Sequence, residues 1–180
     1  PLATIFANAY IRKSWSDSHL TVARDFVGDY IINSYFSNSS SSENLMAGGK
    51  VSKGLEFMHG LVSVGLDYLR FDGFLRQNDS PSAYSSDNYM LSAKWSGRPV
   101  DWFNFTYELN WDKDKMVLKN LGFDSSSTNL AQNLTFNFQP LKSWFIKLHG
   151  EHYRNQIADH QHKNLTLADA STSYGFRNGM

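Results

Sequence analysis

Residues 103–112 read "FNFTYELNWD", and this stretch decides the fold class. Phe103, Phe105, Tyr107, Leu109 and Trp111 alternate with Asn104, Thr106, Glu108, Asn110 and Asp112. A period of two is that of a β-strand, whose successive side chains point to opposite faces. A strand with one bulky aromatic face suits two settings. A soluble sheet hides that face in a core, whereas a membrane barrel shows it to lipid and turns the polar face to a watery interior.

The same alternation recurs along the chain, and no segment holds a helical stripe. Ile5, Ala7, Ala9 and Ile11 share a parity, as do Phe26, Gly28, Tyr30 and Ile32, and Leu45, Ala47, Gly49 and Val51. Val62, Val64, Leu66 and Tyr68 follow, until Leu69 and Phe71 reverse the parity, which predicts a bulge or a strand that projects beyond its buried layer. Tyr89 to Trp95, Leu134 to Phe138, Trp144 to Gly150 and Ala168 to Phe176 repeat the pattern. This gives about nine strands in an all-β chain, most of them long enough to cross a bilayer at a tilt.

The links alternate in length. Short turns fall at 53–60, 96–102 and 138–144, the last two holding Pro99 and Pro140. Longer polar links are expected at 37–46, 76–88, 112–129 and 155–164. Short turns on one side and long loops on the other are the plan of an outer-membrane barrel. Phe57, Trp102 and Trp144 lie at short turns and Trp111 closes the far end of its strand, positions that match the aromatic girdles at the two membrane–water interfaces. The polar parity is rich in neutral Asn and Thr rather than Lys and Glu, which suits a crowded hydrated lumen.

Composition narrows the function. The 180 residues carry 17 basic and 17 acidic side chains, so no field favours nucleic acid, and the absence of cysteine removes thiolate chemistry and disulfides. No apolar run reaches the length of a membrane helix. Pro1 and the closing "YGFRNGM" read as cuts through a longer chain, giving one partial barrel domain over 1–180.

The succession of W-x-F-x-F-x-Y strands, P-x-x-W turns and Ser/Asn/Asp-rich links resembles the C-terminal barrel of TonB-dependent outer-membrane receptors, particularly those of Bacteroidetes. "FQPLKSWFIKLHGEHYRNQ" and "NLTLADASTSYGFRNGM" carry the resemblance best. It implies a barrel of about 22 strands with a plugged lumen in the bacterial outer membrane. That barrel imports a scarce nutrient of the siderophore, glycan, peptide or cofactor class. The partners it implies are outer-membrane lipid, a TonB energising complex reached through a plug absent from this chain, and a surface lipoprotein. A passive porin or adhesin barrel and a soluble carbohydrate-binding β-sandwich are the competing readings.

Ligand contacts are expected from the long links and the lumen, with Tyr84, Trp111, Phe123 and His160 as candidates. The segment "HGEHYRNQIADHQH" groups His149, Glu151 and His152 with Asp159, His160 and His162. Two ligands two residues apart on a strand suit one metal, but a site needs three or four converging groups, and the expectation is no metal. Ser-rich links lack a nucleophile-elbow pattern and no phosphate-cradling glycine loop occurs, so neither catalysis nor a cofactor is expected.

Overall fold

The computed structural model describes residues 5–16, 19–27, 30–38, 42–77, 80–119, 122–157 and 161–176, with side chains described outside 17–41, 75–81 and 161. They form a single sheet of ten strands: β1 (Ile5–Ser16), β2 (His19–Val27), β3 (Tyr30–Asn38), β4 (Ser42–Leu55), β5 (Gly60–Gln77), β6 (Ser80–Val100), β7 (Phe103–Leu118), β8 (Phe123–Leu141), β9 (Trp144–Ile157) and β10 (Gln161–Tyr174). The only helical element described is one 3-10 turn, Glu56–Met58. Eight strands run antiparallel in the order β1-β4-β5-β6-β7-β8-β9-β10. The described sheet is open, because β1 and β10 each pair along one edge.

Three expectations are corrected here. First, the chain does not meander from its start. β1 pairs with β4 along its whole length, from Ile5↔Lys53 to Ser16↔Ser42, and the residues between them form the β2–β3 hairpin, which touches β5 in parallel only at Ala23↔Arg76 and Arg24↔Gln77. Second, the strand expected across Phe26 to Ile32 is two strands, since β2 ends at Val27 and β3 begins at Tyr30. Third, the long polar links are ladder rather than loop. β5 and β6 stay paired to Gln77↔Ser80, β7 and β8 to Leu118↔Phe123, and β9 and β10 to Ile157↔Gln161. The asymmetry read in the sequence survives as strand ends that project past the apolar rungs.

The register joins the alternations of separate strands into two continuous faces. Residues directly paired across an antiparallel ladder lie on the same face. Val51↔Val64↔Ala93↔Leu109 is one such rung, and Phe105↔Phe136↔Leu148↔Ala170 is another. Every apolar parity read from β1 and from β4 to β10 falls on this one face. The pairing of β5 with both neighbours runs unbroken through Leu69 and Phe71, so the parity reversal there marks a projecting strand and not a bulge. The register does shift between Gly97 and Val100 and between Phe138 and Leu141, where Pro99 and Pro140 withhold a donor from the ladder.

No conventional core accompanies these faces. Leu118 is the one buried hydrophobic side chain among the described residues, while Ile11, Trp15, Leu66, Trp102 and Leu165 are among many large apolar side chains left exposed. The aromatic rings instead pack against each other within the apolar face. Phe103 stacks on Phe138 at 4.9 Å and on Phe136 at 5.9 Å, and Trp95 meets Phe105 edge-on at 5.0 Å.

Candidate functional site

The apolar face is a band with two aromatic borders. Phe57, Trp102 and Trp144, all exposed, lie at the end that carries the turns 56–59, 101–102 and 142–143, beside Phe103 and Phe138. At the other border Tyr68 and Tyr89 pack at 5.0 Å, and Trp111 shares a rung with Leu91 and Leu130. The four residues expected as interface aromatics thus divide between the two borders. Trp111 therefore faces away from the polar side of the sheet, which removes it from the ligand contacts expected there. Toward β9 and β10 the band includes polar side chains: Tyr107 Oη donates to Gln132 Oε1 at 3.1 Å, and His152 Nδ1 bonds Thr166 Oγ1 at 2.9 Å.

Two of the expected ligand contacts do meet. Tyr84, Leu118 and Phe123 form a single rung of the polar face, beyond the level of the band. The Tyr84 ring also lies 5.3 Å from Phe71 at a 31° tilt. Burial among these side chains pushes the Tyr84 phenol above its ordinary pKa. Phe123 remains open, at 47% exposure, so the cluster is a shelf with one free aromatic edge. Sequence reading missed Phe71 and Leu118, although the parity reversal at Leu69–Phe71 was the signal for them. His160 lies outside the described residues.

Next to this shelf the polar face is rich in hydrogen-bond acceptors. Asn129 Nδ2 donates to Asp112 Oδ2 at 2.6 Å, Ser127 Oγ to Asp114 Oδ2 at 3.4 Å, and Asn88 Nδ2 donates to Asp114 Oδ1. Each amide spends its N–H on a carboxylate and leaves its oxygen over. Asn88 Oδ1, Asn129 Oδ1 and Asn133 Oδ1 are buried with no partner among the described residues. Buried acceptors of this kind are costly until a donor reaches them. Nearer the turns, Lys94 pairs with Glu108 at 2.7 Å on the same face.

The His-rich segment divides between the faces. His149 and Glu151 share the polar face, with His149 Nε2 2.9 Å from Glu151 Oε1, while Thr135 Oγ1 lies 2.9 Å from His149 Nδ1 and Tyr153 donates to Glu151 Oε2 at 2.9 Å. Both imidazole nitrogens are thereby occupied. His152 is on the opposite face, against Thr166. Among the described residues no three His, Cys, Asp or Glu side chains converge as a metal site requires. Leu165 and Leu167 of β10 depart from the general pattern, standing exposed on the polar face opposite Tyr153 and Glu151.

Comparison with family models, with curated proteins and with solved structures finds no match for this chain.

Proposed function

We propose that this chain is a sector of a transmembrane β-barrel wall in the bacterial outer membrane, and that the barrel is a nutrient importer of the TonB-dependent receptor kind. The observation that carries the wall assignment is the segregation of the two faces. From Phe103 to Trp111 the apolar face runs for eight residue steps, about 27 Å of strand, or roughly 20 Å of height at a barrel's usual tilt. That height is close to the apolar band of an outer-membrane barrel. No second layer covers the band among the described residues, and lipid supplies the missing apolar environment. Backbone groups in lipid need internal partners, so the edges of β1 and β10 pair with further strands of a closed wall.

The importer assignment rests on the sequence pattern that resembles TonB-dependent receptors, on the projecting strand ends and on the lumen-side shelf of Phe71, Tyr84, Leu118 and Phe123. On this reading the shelf offers an apolar surface to a passing solute, and Asp112, Asp114 and the free oxygens of Asn88 and Asn129 accept its hydrogen bonds. The chain contributes binding and passage. Expression of the full-length protein in a Gram-negative host, followed by membrane fractionation, tests the proposal. A barrel is expected in the outer-membrane fraction, with a gel mobility that changes on boiling. A product that stays soluble without detergent would require the Phe103–Trp111 face to lie in a protein core, which is the sandwich arrangement.

A further inference from the structure

At and beyond the border of Tyr68, Tyr89 and Trp111, the apolar face turns charged. Three of its cations are paired: Lys13 with Glu43 at 3.2 Å, Arg70 with Asp72 at 2.7 Å, and Lys115 with Asp124 at 3.4 Å. Two others, Lys113 and Arg154, make no ion pair or hydrogen bond among the described residues. Both are exposed. Lys113 stands one rung past Trp111, between Tyr89 and Thr128, and Arg154 lies in the rung of Trp111 and Leu130. They are separated by two strand spacings and one rung, about 12 Å between Cα atoms, and their flexible stems can bring both heads to one anion. Thr128 and Gln156, paired in the Lys113 rung, add neutral donors between them.

Below each cation the band is hollowed rather than filled. One hollow, of about 570 Å³, lies where Ala47 and Gly49 leave space between Leu66, Tyr89 and Trp111. The other, of about 470 Å³, lies over Gly150, Ala168 and Ala170 against Leu148 and Phe136. Small residues stand at these two places, and both hollows are open and apolar, each crossing two neighbouring rungs of the sheet. A free cation at the edge of an apolar groove fits an amphiphile with an anionic head.

We infer that this part of the wall binds a phosphorylated membrane lipid, its phosphate held between Lys113 and Arg154 and its acyl chains laid in the two hollows. The inference rests on the proposed membrane-facing role of the apolar face. It goes further in assigning a specific lipid site to one sector, whereas Lys13, Arg70 and Lys115 elsewhere on the same border are neutralised by protein carboxylates.

Native mass spectrometry of the full-length protein in neutral detergent, titrated with phosphatidic acid, tests it. Wild type is expected to retain the lipid, and the Lys113→Gln/Arg154→Gln double variant to bind it roughly 20-fold more weakly, as expected for two lost cations near a charged headgroup. An Arg12→Gln/Lys50→Gln double variant removes the same charge from the polar face and is expected to bind as wild type does. Inorganic phosphate separates lipid from free anion, and at matched concentration it is expected not to displace phosphatidic acid. Equal binding by all three proteins, an equal loss in both variants, or displacement by inorganic phosphate would each overturn the inference. The boiling-dependent gel shift, run on the same samples, tells the two readings apart. A heat-modifiable barrel with no lipid preference refutes this site alone, whereas a detergent-independent soluble protein refutes the site and the wall together.

Discussion

Gly48 shows how closely single residues are fitted on the polar face. Tyr10 of β1 reaches across β4 and donates to Asp67 Oδ1 of β5 at 2.7 Å, passing directly over Gly48. A Cβ at residue 48 would stand 2.0 Å from Asp67 Oδ1, 2.9 Å from the Leu66 carbonyl and 2.9 Å from the Tyr10 hydroxyl. The side chains can withdraw but the Leu66 backbone cannot easily do so, and the bridge between three strands is lost. Gly48→Ala is therefore expected to destabilise the folded protein by about 1–3 kcal/mol, read from the urea midpoint of protein refolded into vesicles. An unchanged midpoint would mean that the bridge yields at no cost. Nothing in the sequence marks this glycine, because its neighbours become neighbours only through the register.

At the scale of strands, the legible part of the sequence was the part with one apolar face. Within the band, alternation gave the correct parity in β1 and from β4 to β10, since there one face of each strand is apolar and the other polar. Beyond the band both faces of a strand carry mostly polar residues, and the period-two signal fades even though the ladder continues. Segments such as "SPSAYSSDN" (80–88) and "DSSSTN" (124–129) are strand in β6 and β8, yet their Ser, Asn and Asp content is that of turns. The β2–β3 excursion was missed for a related reason. Its alternation passes without interruption across the reversal between Val27 and Tyr30, where the sequence offers "GD" at 28–29 as the only turn signal.

The same physics makes a prediction for β5 and β6. Their inner rungs, from Leu61↔Ser96 to Tyr68↔Tyr89, lie in the band, and their outer rungs, from Leu69↔Asn88 to Gln77↔Ser80, lie beyond it. On the proposed membrane reading lipid shields the inner rungs from solvent and not the outer ones, so the outer hairpin is expected to open locally. Amide hydrogen exchange in vesicles should be markedly faster at 70–77 and 80–87 than at 62–68 and 89–95. Equal protection along the whole hairpin would place the membrane boundary elsewhere.

At the scale of the molecule, the sheet assembles two incompatible surfaces, and among the described residues no core reconciles them. One side is an apolar band bordered by Trp102 and Trp144 at one end and by Tyr68, Tyr89 and Trp111 at the other. The opposite side carries amides, carboxylates and the Lys94–Glu108 pair, with the Phe71–Tyr84 shelf beyond them. Which medium each side meets is the central claim, and the chain is suited to a direct test because it has no native cysteine. Single cysteines would be placed on β7 of the vesicle-reconstituted, full-length protein at Phe105 and Leu109 on the apolar face and at Thr106 and Asn110 on the polar face, then exposed to a membrane-impermeant and to a lipid-soluble maleimide. The membrane account predicts that cysteines replacing Thr106 and Asn110 react with the water-soluble reagent, while those replacing Phe105 and Leu109 react only with the lipid-soluble one. Resistance of the Phe105 and Leu109 positions to both reagents, with Thr106 and Asn110 open to water in the absence of any lipid, would contradict it and put the aromatic face inside a protein core.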